Sequence, residues 1–252
     1  MMTDKSSLER IVPDELYAGE VTGDATLALH VERYEFAARN AMPGRLLDIA
    51  CGVGYGTRLL KDRCPAVSEA VGVDLSEEAI GYASRRYATD GLRFVANDAT
   101  TFRDAEKFDT VVSLETIEHL ATPDAFLDNL LKHVLRPGGI LICSAPTTPS
   151  VDANVYHLHD FSERTFRRLF SHRGMKEIAS FRQVQPFRPT QVLDPSEARS
   201  RDIRQNLPTY YATHPVSLMR RIFATLRYGF QNRYLTIVWS APDVAVGVRV
   251  KH

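Results

Sequence analysis

The fold of this chain is decided by residues 46–56, which read Leu-Leu-Asp-Ile-Ala-Cys-Gly-Val-Gly-Tyr-Gly. An apolar strand runs here directly into a glycine-rich turn. A buried parallel strand is a continuous apolar run, and glycines at its carboxyl end let a ligand approach the backbone closely. The next apolar run ends in Asp74, where an acid in such sheets accepts ribose hydroxyls. These features predict a nucleotide-type cofactor site.

Apolar runs alternate with helical patterns along the rest of the chain. This alternation predicts an α/β fold in which mostly parallel strands carry helices on both faces. Ser76 is the expected N-cap of a helix that ends near Tyr87. The other predicted elements are strands over 92–96, 108–114, 139–145, 176–184 and 234–240 and helices over 125–135 and 163–172.

Two segments extend this pattern. Residues 1–40 are mostly helical in pattern and are expected to form a cap over the cofactor, ahead of a domain over 41–252. About fifty residues, 186–233, separate the last two predicted strands, where a hairpin would suffice. Long loops in compact domains tend to be functional, so an acceptor lid or an oligomer contact is favoured over a solvated appendage. A homodimer is therefore one expectation.

Composition limits the partners. The chain has 252 residues, 44% of them hydrophobic, and a formal net charge of +0, so no global field favours nucleic acid or an anionic membrane. Its three cysteines cannot all pair, which favours a reducing compartment. Neither a leader pattern nor an apolar run of about 20 residues is seen. The sequence therefore predicts a cytoplasmic protein with no membrane partner.

The spacing of the turn indicates which cofactor binds. Gly52, Gly54 and Gly56 depart from the G-x-G-x-x-G pattern that places a pyrophosphate on a helix N-terminus. Asp48, at the strand end, would repel a pyrophosphate, but it suits the cationic ammonium group of S-adenosylmethionine. Asp98 follows the third predicted strand, where an adenine amino group needs an acceptor.

With three acids at three successive strand ends, residues 30–185 resemble the class I S-adenosylmethionine-dependent methyltransferases. The D-x-x-C-G-x-G-x-G turn, Gly-Val-Asp-Leu-Ser at 72–76, Asn-Asp-Ala at 97–99 and Leu-Arg-Pro-Gly-Gly at 135–139 carry the resemblance. It implies a Rossmann-like sheet of seven strands, the last antiparallel. A Rossmann oxidoreductase and a doubly wound domain without cofactor are the alternatives. The further cofactor contacts that it implies are Ala50, Gly52, Gly54, Leu75, Asn97, Ala99 and Leu114.

A second motif, Glu115-Thr-Ile-Glu118-His119, follows the fourth predicted strand. If this segment forms a helical turn, positions i, i+3 and i+4 share one face, so two carboxylates and an imidazole converge. Close carboxylates repel each other, and a divalent cation removes that penalty. An imidazole from His157 or His159 could join them. The alternative is that Glu118 and His119 only orient the loop, with a histidine acting alone as a base.

This E-x-x-E-H motif with a later histidine resembles the metal site of methyltransferases that modify the 3′-terminal ribose of small RNAs, and of ubiquinone-pathway O-methyltransferases. Alignment on Phe161 places His157 rather than His159 at the family's metal position. The resemblance implies that Glu115, Glu118, His119 and His157 hold Mg²⁺ or Mn²⁺, with His119 and His157 catalytic. Oxygen and imidazole ligands suit these cations.

The arrangement as a whole resembles bacterial sugar and polysaccharide O-methyltransferases, through Glu-Arg-Ile-Val-Pro at 9–13, the pair Arg33-Tyr34 and Tyr-His-Leu at 156–158. This resemblance implies that Arg33 clamps the methionine carboxylate and that the acceptor is a small molecule or oligosaccharide. A metal that chelates adjacent hydroxyls favours a vicinal diol, so an RNA 3′-terminal ribose or a catechol or quinone precursor stays open. A metal-free N-methyltransferase and a non-catalytic partner subunit are further alternatives.

Overall fold

The computed structural model describes residues 21–187 and 207–243. Expectations for 1–20, for 188–206 of the insertion and for 244–252 lie outside these ranges. Seven strands form one sheet in the order β3-β2-β1-β4-β5-β7-β6, and β7 runs antiparallel to both of its neighbours. The predicted seven-stranded fold is therefore confirmed. The strands are β1 Gly44–Ile49, β2 Val67–Asp74, β3 Leu92–Ala96, β4 Phe108–Ser113, β5 Leu135–Pro146, β6 Lys176–Pro186 and β7 Gln231–Ser240.

Helices cover both faces of the sheet because neighbouring residues of a strand point to opposite sides. Two apolar clusters are buried, one on each face of the sheet. Leu46 of β1 belongs to the cluster that contains Tyr34, and Leu47 belongs to the cluster that contains Phe126 and Phe166. Buried apolar runs on both sides are what a covered parallel sheet requires. The helices are α1 Val21–Asn40, α2 Tyr55–Arg63, α3 Glu77–Tyr87, α4 Pro123–Asn129, α5 Glu163–Ser171, α6 Leu207–Thr213 and α7 Pro215–Tyr228.

One predicted boundary was wrong. The segment expected as a helix over 125–135 is helical up to Val134, as α4 to Asn129 and then as a π-helical turn, Leu130–Val134. The strand expected from Gly139 already begins at Leu135. Leu135 pairs with Phe108 on β4, so the strand starts earlier than predicted, with an irregularity in the register after this pair. The Pro-Gly-Gly sequence at 137–139 is typical of a turn and gives no sign of this pairing.

Helix α1 packs closely against α2 just after the glycine turn. A Cβ atom added at Gly56 would lie 1.9 Å from the Tyr34 ring. Tyr34 and Ala37 of α1 also join the apolar cluster that contains Leu46 and Leu60. Among the described residues, no helix is long and apolar enough to cross a membrane.

Candidate functional site

The site begins where two neighbouring strands leave the sheet. Strands β1 and β4 are paired in parallel, and the chain order reverses between them, which is where open α/β sheets bind ligands. After each strand a residue other than glycine adopts a left-handed backbone: Ala50 at φ 63° and Glu115 at φ 49°. Such conformations cost free energy and cluster at functional sites.

Asp74, at the end of β2, organises the glycine turn. Its carboxylate accepts hydrogen bonds from the backbone amides of Gly52 and Ser76, each at 2.9 Å. The residue is 7% exposed. These two bonds fix the carboxylate against the glycine turn.

Asp48 is buried beneath the turn, with 1% of its surface exposed. Its Oδ2 accepts hydrogen bonds from the Thr57 hydroxyl at 2.7 Å and the Tyr34 hydroxyl at 3.3 Å. Burial raises the pKa of Asp48 to about 7, against the lowering effect of the two hydroxyls and with a further increase from the Asp74 charge. A nearby cation would stabilise the ionised form.

The third strand end is open to solvent. Asp98 is exposed, and its Oδ1 accepts hydrogen bonds at 2.7 Å from both the backbone amide and the hydroxyl of Thr100. The backbone amide of Asn97 bonds to the Asp74 carbonyl and so ties β3 to β2. Leu75 is 72% exposed although it is apolar. The remaining predicted contacts follow the ends of β1, β3 and β4: Ala50, Gly52, Gly54, Ala99 and Leu114.

Arg33 of α1 is a buried cation at this edge, with 1% of the residue exposed. Its Nε donates to Gln183 Oε1 at 2.7 Å, and its guanidinium lies 4.3 Å from the centre of the Tyr234 ring. Its Nη1 lies 3.7 Å from Glu115 Oε1 but makes no hydrogen bond. A buried donor without an acceptor is costly, and a ligand carboxylate would satisfy it.

Glu115 does not join the other candidate metal ligands, which corrects the four-residue set. The only helical turn nearby is the 3-10 turn Ile117–His119, which starts after Glu115. The left-handed backbone at Glu115 instead places its carboxylate beside Arg33 and at 2.6 Å from the Ser144 hydroxyl, which donates to it. Glu115 therefore contacts both Arg33 of α1 and Ser144 of β5.

Glu118, His119 and His157 do converge. Each offers a ligand atom, and these atoms lie within 4.8 Å of one another. Glu118 is fully buried. The two imidazole rings are packed edge to face, with 4.7 Å between their centres. This is a donor set of one carboxylate oxygen and two imidazole nitrogens.

Neighbouring groups orient both rings. His119 Nδ1 lies 3.2 Å from the Tyr156 carbonyl oxygen, which only accepts, so Nδ1 is the donor in this contact. His157 Nδ1 lies 2.7 Å from the Ser150 hydroxyl. Such outer contacts are typical of metal-binding histidines. His159 is directed elsewhere, with Nε2 at 2.9 Å from the Leu120 carbonyl.

Several supporting residues were not predicted from sequence. Ser144, Ser150, Thr57 and Gln183 each fix a candidate site residue through a hydrogen bond. A single hydroxyl or amide side chain belongs to no motif that could be recognised by its spacing in the sequence. Only the tertiary structure identifies them.

Part of the chain is similar to a known protein family. Residues 47–143 match the family described as "Methyltransferase domain". A curated relative, "Ubiquinone biosynthesis O-methyltransferase" of Sinorhizobium medicae, is 37% identical over 100 residues. That match covers 38% of this chain and 39% of the relative's length, so the chain aligns with well under half of that protein.

Solved structures share the fold. The YcgJ protein from Bacillus subtilis superposes with a TM-score of 0.64 at 15% identity, covering 85% of this chain and 100% of that one. The N-methyltransferase NodS from Bradyrhizobium japonicum, solved with S-adenosyl-L-homocysteine, has a TM-score of 0.55 at 17% identity over 85% of this chain and 86% of its own. Residues 47–143 are thus similar to the methyltransferase-domain family, and the chain shares the fold of these solved structures.

Proposed function

We propose that this protein transfers a methyl group from S-adenosylmethionine to a hydroxyl of a sugar or oligosaccharide, with a divalent metal at Glu118, His119 and His157. The observation that carries the proposal is the convergence of these three side chains within 4.8 Å, beside the carboxyl end of β4. In this fold that edge of the sheet faces the ligand crevice.

Each polar group of the cofactor would have a partner in the proposed site. Asp74 would accept the ribose hydroxyls and Asp98 the adenine amino group. Arg33 Nη1, buried and without a hydrogen-bond acceptor, would receive the methionine carboxylate. Asp48, with a pKa of about 7, would balance the ammonium group. S-adenosylmethionine supplies the electrophilic methyl group.

The donor set fits a small divalent cation. Carboxylate oxygen suits Mg²⁺, and imidazole is accepted by Mn²⁺. A cation held there would supply positive charge that lowers the pKa of the acceptor hydroxyl and orients it. Glu118, His119 and His157 would hold the cation, while the Tyr156 carbonyl and Ser150 keep the two rings in place. The acceptor proton would pass to solvent, because an imidazole nitrogen that holds the cation has no lone pair left for a proton.

The insertion supports an acceptor site above this centre. Arg221 of α7 donates to the carboxylate of Asp152 and to the Pro149 carbonyl, and Tyr211 donates to the same carboxylate at 2.6 Å. These contacts hold α6 and α7 on the loop that carries Ser150 and His157. In the proposed organisation, residues 1–40 cap the cofactor and 186–233 form a lid within a domain over 41–252.

A turnover assay tests the function. The protein is incubated with labelled S-adenosylmethionine and a panel of mono- and disaccharides, with Mg²⁺, with Mn²⁺ or with EDTA. We expect methylation of a sugar carrying adjacent hydroxyls and its loss in EDTA. His157→Ala or Glu118→Ala should abolish turnover while S-adenosylhomocysteine affinity stays within a fewfold.

His159→Ala is the matched control, because His159 lies on the same loop but bonds to the Leu120 carbonyl. It should retain most of the activity. Turnover on amines that is insensitive to EDTA would establish the N-methyltransferase alternative, since a neutral amine needs no metal to become nucleophilic. Methylation of catechols or RNA ends without sugar turnover would refute the acceptor assignment alone.

A further inference from the structure

Helix α7 packs with its polar side inward. The side facing the body carries Ala224, Arg221 and Tyr228, all buried or half-buried. The outward side is apolar, with Val216, Met219, Phe223 and Leu226 exposed by 63%, 65%, 64% and 83%. We call this outward side the α7 stripe; it also includes Ile222 and, just beyond the helix, Phe230.

The stripe is continuous. At 3.6 residues per turn, its five helical members fall within a sector of about 120°. Surface helices of globular proteins normally place such a face on the core. Contiguous exposed apolar surface of this kind marks a contact with another phase or molecule.

Charge around the stripe identifies the occupant. Residues 207–240 contain four arginines and neither aspartate nor glutamate; Arg221 is paired inward with Asp152, and the other three have no such partner within this segment. Arg220 and Arg227 are exposed and flank the stripe on one side. A second copy of α7 would bring more arginines to the same contact, whereas an anionic surface would be attracted by them.

We propose that the α7 stripe rests on an anionic lipid surface, as an interfacial amphipathic helix. Apolar side chains enter the boundary between headgroups and acyl chains, while flanking arginines meet lipid phosphates. At 14 residues, α7 is shorter than the roughly 20 that span a bilayer. The inward contacts of Arg221 with Asp152 keep the loop of His157 on the opposite side of the helix.

Vesicle sedimentation of the full chain tests this inference without requiring turnover. We expect the protein to bind phosphatidylcholine vesicles containing phosphatidylglycerol about tenfold more tightly than pure phosphatidylcholine vesicles, and to be released by salt. Phe223→Ser with Leu226→Ser should weaken binding about tenfold or more. Arg220→Glu with Arg227→Glu should remove the preference for the anionic lipid.

Ile178→Ser on β6, where the side chain is 57% exposed, is the matched control and should bind like the unaltered protein. Circular dichroism checks that all variants stay folded. The proposal is overturned if the unaltered protein leaves vesicles unbound, or if the stripe variant binds as well as the control. A dimer that the stripe variant dissociates, without vesicle binding, would instead establish a second copy as the occupant.

Discussion

At the scale of single residues, Asp48 links burial to ligand binding. Burial raises its pKa to about 7, so near neutrality a large share of the carboxyl is protonated. A ligand ammonium group favours the ionised form. In the proposed site, protonation of Asp48 would therefore compete with ammonium binding when pH falls below that value.

We expect the affinity for S-adenosylhomocysteine to fall between about pH 8 and about pH 6, approaching tenfold per pH unit below the pKa. Isothermal titration calorimetry measures this. In Asp48→Asn the pH dependence should vanish, since the amide does not titrate. Adenosine, which lacks the ammonium group, is the ligand control. A pH-independent affinity in the unaltered protein would contradict the role of Asp48.

Arg33 provides a second test at this scale. Its buried Nη1 has no hydrogen-bond acceptor, and we expect it to bind the methionine carboxylate. Arg33→Gln should weaken S-adenosylhomocysteine binding by roughly tenfold to a hundredfold, because charge-assisted hydrogen bonds contribute about 1.5–3 kcal/mol. Adenosine affinity should change little. Equal losses for both ligands would mean that Arg33 only supports the fold.

The sequence located individual site residues only in part. The acids at the strand ends are predictable because each follows an apolar run. The separation of Glu115 from the other candidate metal ligands is not predictable, because its left-handed backbone and its pairing with Arg33 depend on contacts between distant segments. An arginine on a helix also gives no sign in the sequence of whether it is buried.

At the scale of elements, the contact between α1 and α2 leaves no room for a side chain at Gly56. The Tyr34 ring occupies the space where a Gly56 side chain would lie. Gly56→Ala should lower the free energy of unfolding by about 1–3 kcal/mol, as overpacking does. Thermal and denaturant unfolding measure it, and the cost should shrink in a Tyr34→Leu background, where the contact is relieved.

Gly81→Ala is the control for this experiment. A Cβ there meets only the end of the Arg85 side chain, at 3.4 Å, and alanine favours a helix by up to about 1 kcal/mol. We expect a neutral or stabilising effect. If Gly56→Ala were equally harmless, the close packing of the cap on the glycine turn would be wrong.

Elements were more predictable than residues. Long apolar runs gave six of the strands to within a few residues, but the start of β5 at Leu135 was missed, because pairing with β4 continues through a sequence typical of a turn. The orientation of α7 was also beyond the sequence. An apolar helical face normally predicts packing on the core, and here Arg221 bound to Asp152 turns that face outward.

At the scale of the whole molecule, three layers meet at one edge of the sheet. The cap contributes Arg33 and Tyr34, the strand ends contribute the acids, and the loop after β5 contributes His157 under the α6 and α7 insertion. Cofactor, metal and acceptor would thus be held by different segments of one chain. Neither length nor composition indicates this convergence, because it depends on the order in which the strands assemble.

The most direct test is a crystal structure of the protein with S-adenosylhomocysteine and Mn²⁺, recorded for anomalous scattering. We expect the nucleoside against Asp74 and Asp98, and one anomalous peak at about 2.0–2.3 Å from the donor atoms of Glu118, His119 and His157. The nucleoside bound in that place with no anomalous peak at these three side chains would contradict the metal-assisted mechanism. A nucleoside bound elsewhere would contradict the account of the site as a whole.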